Sequence, residues 1–265
     1  MKKFFVIGSP IKHSLSPNLH NYWLRKNNIN ANYDKRELID TDLKDFINEI
    51  KIEKISGINV TVPFKNKVIP YLDQLSLEAQ KTRSVNTIYL NNDLLVGDNT
   101  DIKGFELSIK NINYEAKDKK ILILGAGGVV PSIIFALKRM QVSKIIISNR
   151  TRKKAENLKN FFEDLEIIDW GQSCDFDMII NATSLGLKKN DKINLNFLKN
   201  KKNKLFYDVI YNPNETSFLK AAKKLGNMTE NGKMMFIYQA REAFKIWHKM
   251  MPEIDDKTFE IVAND

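Results

Sequence analysis

The stretch ILILGAGGVVPSII, Ile121 to Ile134, constrains the fold more than any other part of the 265-residue chain. Four aliphatic residues form a run suited to a strand buried on both faces, and a glycine cluster ends it. Gly125-Ala126-Gly127-Gly128-Val129-Val130 follows the G-x-G-x-x-G pattern of a dinucleotide-binding turn, with Val130 at the third glycine position. The first two glycines of that pattern let the chain turn tightly and bring its backbone near a pyrophosphate, and the third eases helix–strand packing. Val130 therefore alters a packing contact and leaves the phosphate cradle in place. Pro131 falls in or beside the first helical turn, where amides lack intrahelical partners and a missing N–H costs little. Taken alone, the turn also fits a glycine-rich connection that holds no ligand.

The residues around it narrow the choice. From Lys119 onward, KKILILG, SKIIIS, FDMIINA and LFYDVIY are near-continuous apolar runs separated by helical stretches. This is the pattern of an open parallel sheet covered by crossover helices. In NAD-binding units an acidic residue about 20 positions past the turn accepts the ribose hydroxyl. Here SNRTRKK (148–154) puts Asn149 and Arg150 at that place, with Arg152, Lys153 and Lys154 behind them. A carboxylate would repel a 2′-phosphate, whereas a guanidinium grips it bidentately. A basic, solvent-facing helix start is the other reading, but positive charge at a helix N-terminus opposes the dipole and a bound anion accounts for it. The turn is suited to NADP(H).

The first hundred residues alternate strand-like and helix-like segments. KFFVIG (3–8) is an apolar run ended by glycine, and Ser16-Pro17 reads as an N-cap and first-turn proline opening a helix to about Lys26. ANYDKREL (31–38) reads as a strand, and TDLKDFINEI (41–50) as an amphipathic helix capped by Thr41. ISGINVTV (55–62) is a β-branched strand stopped by Pro63, and NTIYLNNDLLVGDN (86–99) a hairpin turning at Asn91–Asp93. The last helix, from about Gly232 to Met250, carries Phe236, Ala240, Ala243, Phe244 and Trp247 at helical spacing. Packing its C-terminal part against the first half makes that domain discontinuous. Gln239 lies about 60° from this stripe and borders the buried face.

Composition excludes several classes. Hydrophobic residues at 43% and charged residues at 28% suit a soluble globular protein. One cysteine, Cys174, precludes an internal disulfide and fits a reducing compartment. His13, His20 and His248 lack zinc-ligand spacing, so no metal is expected. MKKFFVIGSP holds too short an apolar run for a secretory segment (about 7–15 residues) or a membrane span (about 20), which points to the cytoplasm and no membrane. The net charge of +10 gathers in segments such as KDKK (117–120) and KNKKNK (199–204). These read as solvated loops; no basic stripe interleaves with aromatics, so no nucleic acid is expected.

SLSPNLHN (14–21), NVTVPFK (59–65), SVNT (84–87), GDNTDIKGF (97–105), GAGG, NRT (149–151), NATSLGL (181–187), DVIYNPNET (208–216) and GKMMFIYQAREAFKIW (232–247) follow one another in order. In that order the chain resembles the shikimate dehydrogenase family along nearly its whole length. The resemblance implies reversible hydride transfer between NADPH and C3 of 3-dehydroshikimate, giving shikimate on the way to aromatic amino acids. It implies two α/β domains with the active site in the cleft between them. One is a discontinuous N-terminal substrate domain, residues 1–101 plus 239–265, and the other a Rossmann-type NADP-binding domain with a parallel sheet, residues 102–238. It implies small-molecule partners and a monomer or homodimer.

The resemblance also assigns residues. Lys65 and Asp101 become the acid–base pair in contact with substrate, and Ser14 and Ser16 the holders of its carboxylate. Asn59, Thr61, Asn86, Tyr211 and Gln239 complete the substrate set. Gly125, Ala126, Gly127, Gly128 and Val129, then Asn149, Arg150, Thr151 and Lys154, bind the cofactor. Thr183, Ser184, Leu187 and Gly232 follow, with Thr183, Leu187 and Gly232 near the nicotinamide. On their own, Lys65 reads as an ordinary lysine and Asp101 as a cap for IKGFELSIK. Reducing a ketone, however, requires a proton for the developing alkoxide, and a lysine held by a carboxylate donates one. Three places depart from the family pattern: Leu187, Arg83-Ser84, and Val130-Pro131. A quinate/shikimate dehydrogenase using NAD is the nearest rival, and the basic residues at 150–154 argue against its cofactor.

Overall fold

Residues 1–188, 191, 193 and 202–263 are described by a computed structural model of the chain. The run KNKKNK lies partly outside them; of its described members, Lys202 and Asn203 are exposed. The chain divides into two units, Met1–Gly104 with Ile237–Asn264, and Phe105–Phe236.

In the first unit β1 (Lys2–Gly8), β2 (Ala31–Glu37), β3 (Gly57–Val60), β4 (Gln74–Leu75), β5 (Thr87–Asn91) and β6 (Leu94–Asp98) form a mixed sheet in the order β2-β1-β3-β5-β6-β4. Strand β1 runs parallel to β2 and β3, while β5 is antiparallel to β3 and β6. Alternation along β1 sends Phe5 and Ile7 to a core with Phe46, Ile47 and Ile50 of α2 (Leu43–Lys51) and with Ile58, Val60 and Ile88. Phe4 faces the opposite way and meets Trp247 and His248. There α1 (Ser16–Lys26) contributes His20 and Trp23, which pack with Tyr33 and Phe244. The short α3 (Leu77–Thr82) is capped by Ser76, and α4 (Asp101–Asn111) begins three residues after β6.

Local hydrogen bonding moves several boundaries from those expected. Ser16 is the first residue inside α1 and not its cap; the Ser14 hydroxyl accepts the Ser16 N–H at 3.3 Å. Thr41 lies in a 3₁₀ turn, Asp40–Asp42, whose Asp42 carboxylate takes the Ile39 N–H, so α2 starts only at Leu43. Strand β3 stops at Val60 because Phe64 N–H turns back onto Thr61 O at 2.9 Å. The hairpin turns at Asn92 and Asp93, with φ of 49° and 61°, the left-handed pair that a two-residue loop demands.

The second unit follows β7 (Lys120–Leu124), α5 (Val130–Arg139), β8 (Lys144–Ser148), α6 (Arg152–Lys159), β9 (Glu166–Ile168), β10 (Met178–Asn181), β11 (Leu205–Asp208), α7 (Ser217–Lys224) and β12 (Met228–Glu230). All neighbouring strands are parallel, in the order β12-β11-β10-β7-β8-β9. The order reverses between β7 and β10, as in doubly wound sheets that bind dinucleotides beyond the carboxyl ends of their strands. Leu122, Leu124, Ile146, Ile179 and Phe206 fill its core with Phe218 and Leu219 of α7. Four of these strands match the apolar runs of the sequence. The edge strands β9 and β12 are only three residues each and carry no such run. Strand β11 ends at Asp208, earlier than LFYDVIY suggests, because the Asp208 carboxylate captures Ile210 N–H at 3.0 Å.

The chain closes with α8 (Lys233–His248) and α9 (Asp256–Ala263). Ahead of α9, Asp255 accepts from Tyr22 at 2.5 Å and pairs with Lys26, tying this segment to α1. No described helix is long and apolar enough to cross a membrane.

Candidate active site

In the first unit the turn after β3 carries Lys65, and the start of α4 carries Asp101. The two side chains, 11% and 8% exposed, meet with Nζ 2.5 Å from Asp101 Oδ2. Main-chain bonds hold both in place: Val85 N–H donates to Lys65 O at 2.8 Å, and Asp101 N–H to Asn99 Oδ1 at 3.1 Å. Removing two charges from water is costly, and hydrogen bonds to the pair's remaining groups offset part of that cost. Asp101 Oδ1 is met by Asn86 Nδ2 at 2.9 Å. The ammonium has one carboxylate partner among the described residues, which leaves two of its protons for a ligand.

Asn86, on the residue before β5, is 2% exposed and accepts Thr100 N–H on Oδ1 at 2.8 Å. Asn59 on β3 spends both amide protons within the protein, on Asn86 O and Thr87 Oγ1. Its Oδ1 accepts from Tyr33 at 2.7 Å. Burial raises the Tyr33 phenol well above its ordinary range, and a bond from Ser16 opposes the rise. Ser14 is half-buried beside Ser16, and Thr61, half-buried, is anchored by its N–H on Ile7 O at 2.9 Å. Gln239 Oε1 lies 3.5 Å from Asn86 Nδ2. The first unit thus gathers Lys65, Asp101, Asn86, Asn59, Ser16 and Gln239 into one polar cluster.

In the second unit the turn after β7 begins at Gly125, whose N–H bonds Ser148 O and whose φ of +113° suits glycine alone. A Cβ there would lie 2.8 Å from Ala182 O. Gly127 and Gly128 are exposed, and a Cβ on Gly127 would meet nothing nearer than 3.9 Å. Helix α5 follows with no side-chain cap, and Val130 at its start is fully buried. Uncapped first-turn amides above an open glycine are a place for an anion.

Beyond β8, Asn149 Nδ2 braces Thr151 O at 2.8 Å. Arg152 is already engaged, by Asp169 at 2.6 Å and Glu156 at 3.2 Å. The positive run expected here is therefore partly neutralised, and Arg150, Lys153 and Lys154 are the cations with no acidic partner among the described residues. Thr183 donates to Asn181 Oδ1 at 2.7 Å; Ser184 and Leu187 are exposed. Gly232 N–H bonds Ile210 O at 3.1 Å, and Tyr211 stacks on Phe236 with centroids 4.6 Å apart. Open backbone, uncapped helix and unpaired guanidinium together fit a dinucleotide carrying an extra phosphate.

The matches to known proteins agree with this geometry. Residues 6–88 match the model of the shikimate dehydrogenase substrate binding domain, and residues 106–215 that of shikimate / quinate 5-dehydrogenase. The chain belongs to the shikimate dehydrogenase family. A shikimate dehydrogenase (NADP(+)) of Pelagibacter ubique is 59% identical, with 98% of each chain covered. The crystal structure of shikimate dehydrogenase from Aquifex aeolicus superposes with a TM-score of 0.89 at 37% identity, covering 100% of this chain and 98% of that one. A Thermus thermophilus relative, solved with NADP(H) and shikimate, gives 0.88 at 29% identity over 99% and 98%.

Sequence reasoning within this family missed the groups that join the cluster. Tyr33, Thr87 and Thr100 bind the named residues to one another; Tyr33 lies outside every quoted motif, while Thr87 and Thr100 lie within SVNT and GDNTDIKGF and were given no role. It also missed Asp208, a buried carboxyl raised by desolvation and held by Thr216, Ile210 N–H and Asn181. A carboxylate inside the apolar run LFYDVIY was the available signal.

Proposed function

We propose that the protein reversibly reduces 3-dehydroshikimate to shikimate, with NADPH as the electron donor. The observation that carries this reading is the buried Lys65 ammonium, fixed on Asp101 and keeping two protons for a ligand. Lys65 protonates the alkoxide oxygen that forms at C3 and takes that proton back in the reverse direction. Asp101 orients the lysine, while Asn86 steers Asp101 and the substrate hydroxyls. Ser14 and Ser16 hold the carboxylate, with Thr61, Tyr211 and Gln239 completing the substrate contacts. NADPH, when bound, supplies the hydride. Gly125 to Val129 cradle its pyrophosphate and Arg150 with Lys154 its 2′-phosphate. Residues 1–101 with 239–265 carry the substrate, and 102–238 the cofactor. A chain with one cysteine fits reducing cytoplasm.

The test is reduced-cofactor formation with shikimate or quinate, each offered NADP+ or NAD+. Shikimate with NADP+ should dominate; faster turnover with NAD+, or none with shikimate, overturns the proposal. In the same assay Arg150→Ala should weaken NADP+ roughly 10- to 150-fold, the value of one charge-assisted bond, and leave NAD+ nearly unchanged.

A further inference from the structure

Behind the Lys65–Asp101 pair the main chains of the two partners are joined by a ring of hydrogen bonds that closes through Asn99. This residue is 3% exposed and lies between β6 and α4. Its carboxamide direction is fixed from both ends. The Ser84 carbonyl only accepts, so the Asn99 atom 2.8 Å from it is Nδ2. The Asp101 N–H only donates, so the Asn99 atom 3.1 Å from it is Oδ1. The peptide that accepts from Asn99 is the one whose nitrogen, Val85 N–H, donates to Lys65 O at 2.8 Å. A peptide unit is planar and rigid, so its two bonds move together. One path therefore runs from Lys65 O through the Ser84–Val85 peptide and the Asn99 carboxamide to Asp101 N–H, and the ion pair closes it.

Asn99 is placed to hold its neighbours and not to donate to a ligand. Its second amide proton goes to Thr82 Oγ1 at 3.1 Å, and the Thr82 hydroxyl in turn donates to Glu78 O at 2.7 Å within α3. Both amide protons are thus spent inside the protein. The Asn99 N–H is held as well, by Asp98 Oδ1 at 2.7 Å, which also accepts from the Ser76 hydroxyl at 2.7 Å.

We infer that Asn99 is a positioning residue for the proposed acid–base pair: its carboxamide fixes the start of α4, with Asp101, against the peptide that holds Lys65. This rests on the acid–base reading proposed above. Proton transfer to the alkoxide depends on where the ammonium points, and a displacement of about 1 Å in such groups costs up to about 10²-fold in rate. The loss of Asn99 therefore falls on turnover, through Lys65.

Asn99→Ser separates the tie from the helix start. Serine suits the turn before a helix and keeps an oxygen near Asp101 N–H, but it is too short to reach the Ser84 carbonyl as well. With shikimate and NADP+, kcat should fall about 5- to 100-fold, with the KM for NADP+ within about twofold of wild type. Asn99→Ala should lose as much. In a Lys65→Met background either substitution should lower kcat by less than about twofold, since residues acting as a unit are non-additive. A merely structural role would lower the active fraction and multiply through both backgrounds. Should Asn99→Ala not fold, Asn99→Ser decides alone. Wild-type turnover of shikimate, and its loss in Lys65→Met, test the proposed function by themselves; where either fails, the inference falls with that reading. Where both hold, a kcat lowered less than about fivefold by Asn99→Ser, or an undiminished loss in the Lys65→Met background, overturns the inference alone.

Discussion

At the scale of single residues, the proposed acid–base role makes Lys65 and its partner Asp101 one unit, to be tested together. Lys65→Met keeps the aliphatic stem and deletes both proton and charge. Positioned acid–base groups contribute about 10²–10⁴-fold, so turnover should fall by that order while NADPH binding persists. Asp101→Asn removes the carboxylate that faces the ammonium at 2.5 Å and should be comparably severe. The double variant should be far less than multiplicatively worse, because residues acting as a unit are non-additive. Turnover of all three, with NADPH affinity as the control, decides it; more than about a tenth of wild-type turnover in Lys65→Met removes the acid–base role. The ordered motifs named both members of this pair. They could not point to Tyr33, because its bond to Asn59, 26 residues away, is set by a hydroxyl direction that no sequence spacing records.

At the scale of elements, the β7–α5 turn separates two uses of glycine. Gly125 serves the fold, since its φ of +113° and a Cβ only 2.8 Å from Ala182 O exclude a side chain. Gly125→Ala should therefore cost about 1–3 kcal/mol of stability, the usual effect of overpacking against backbone. Gly127 has open space around a Cβ, so Gly127→Ala should change stability by less than about 0.5 kcal/mol. It should nonetheless weaken NADP+, because the added methyl occupies the approach to the pyrophosphate. Urea midpoints and NADP+ titrations of the two variants would read out this division; equal losses of stability would refute it. The turn and its four long strands were legible because burial on both faces demands continuous apolar runs. Strands β9 and β12 were not, since three-residue edges need little apolar sequence. The early stop of β11 and the late start of α2 escaped for another reason. Each is set by one aspartate side chain, Asp208 or Asp42, capturing a nearby backbone N–H.

At the scale of the whole molecule, stability should follow pH through the histidines buried in the aromatic cluster. Burial lowers His20 from 6.5 to about 3, with His248 adding repulsion, and lowers His248 to about 4, with Lys2 adding repulsion. The folded state thus refuses a proton that the unfolded chain accepts below 6.5. The stabilisation is full above that value and is lost as pH falls through the window down to about 3. Between about pH 7 and about pH 5, a shift of this size removes about 2 kcal/mol through His20 alone. His248 acts in the same direction, more weakly, since it is only partly buried. Asp208 and Glu230, raised by burial, act in the opposite direction, so the histidine share has to be isolated by substitution. His20→Phe places a ring of similar shape against Tyr33, Trp23 and Phe244 and cannot titrate. Unfolding free energies from urea titrations at the two pH values should show the wild type losing about 2 kcal/mol more than His20→Phe. Equal losses would mean that His20 takes up its proton in the folded protein as readily as in the unfolded chain, and that the cluster opens on acidification.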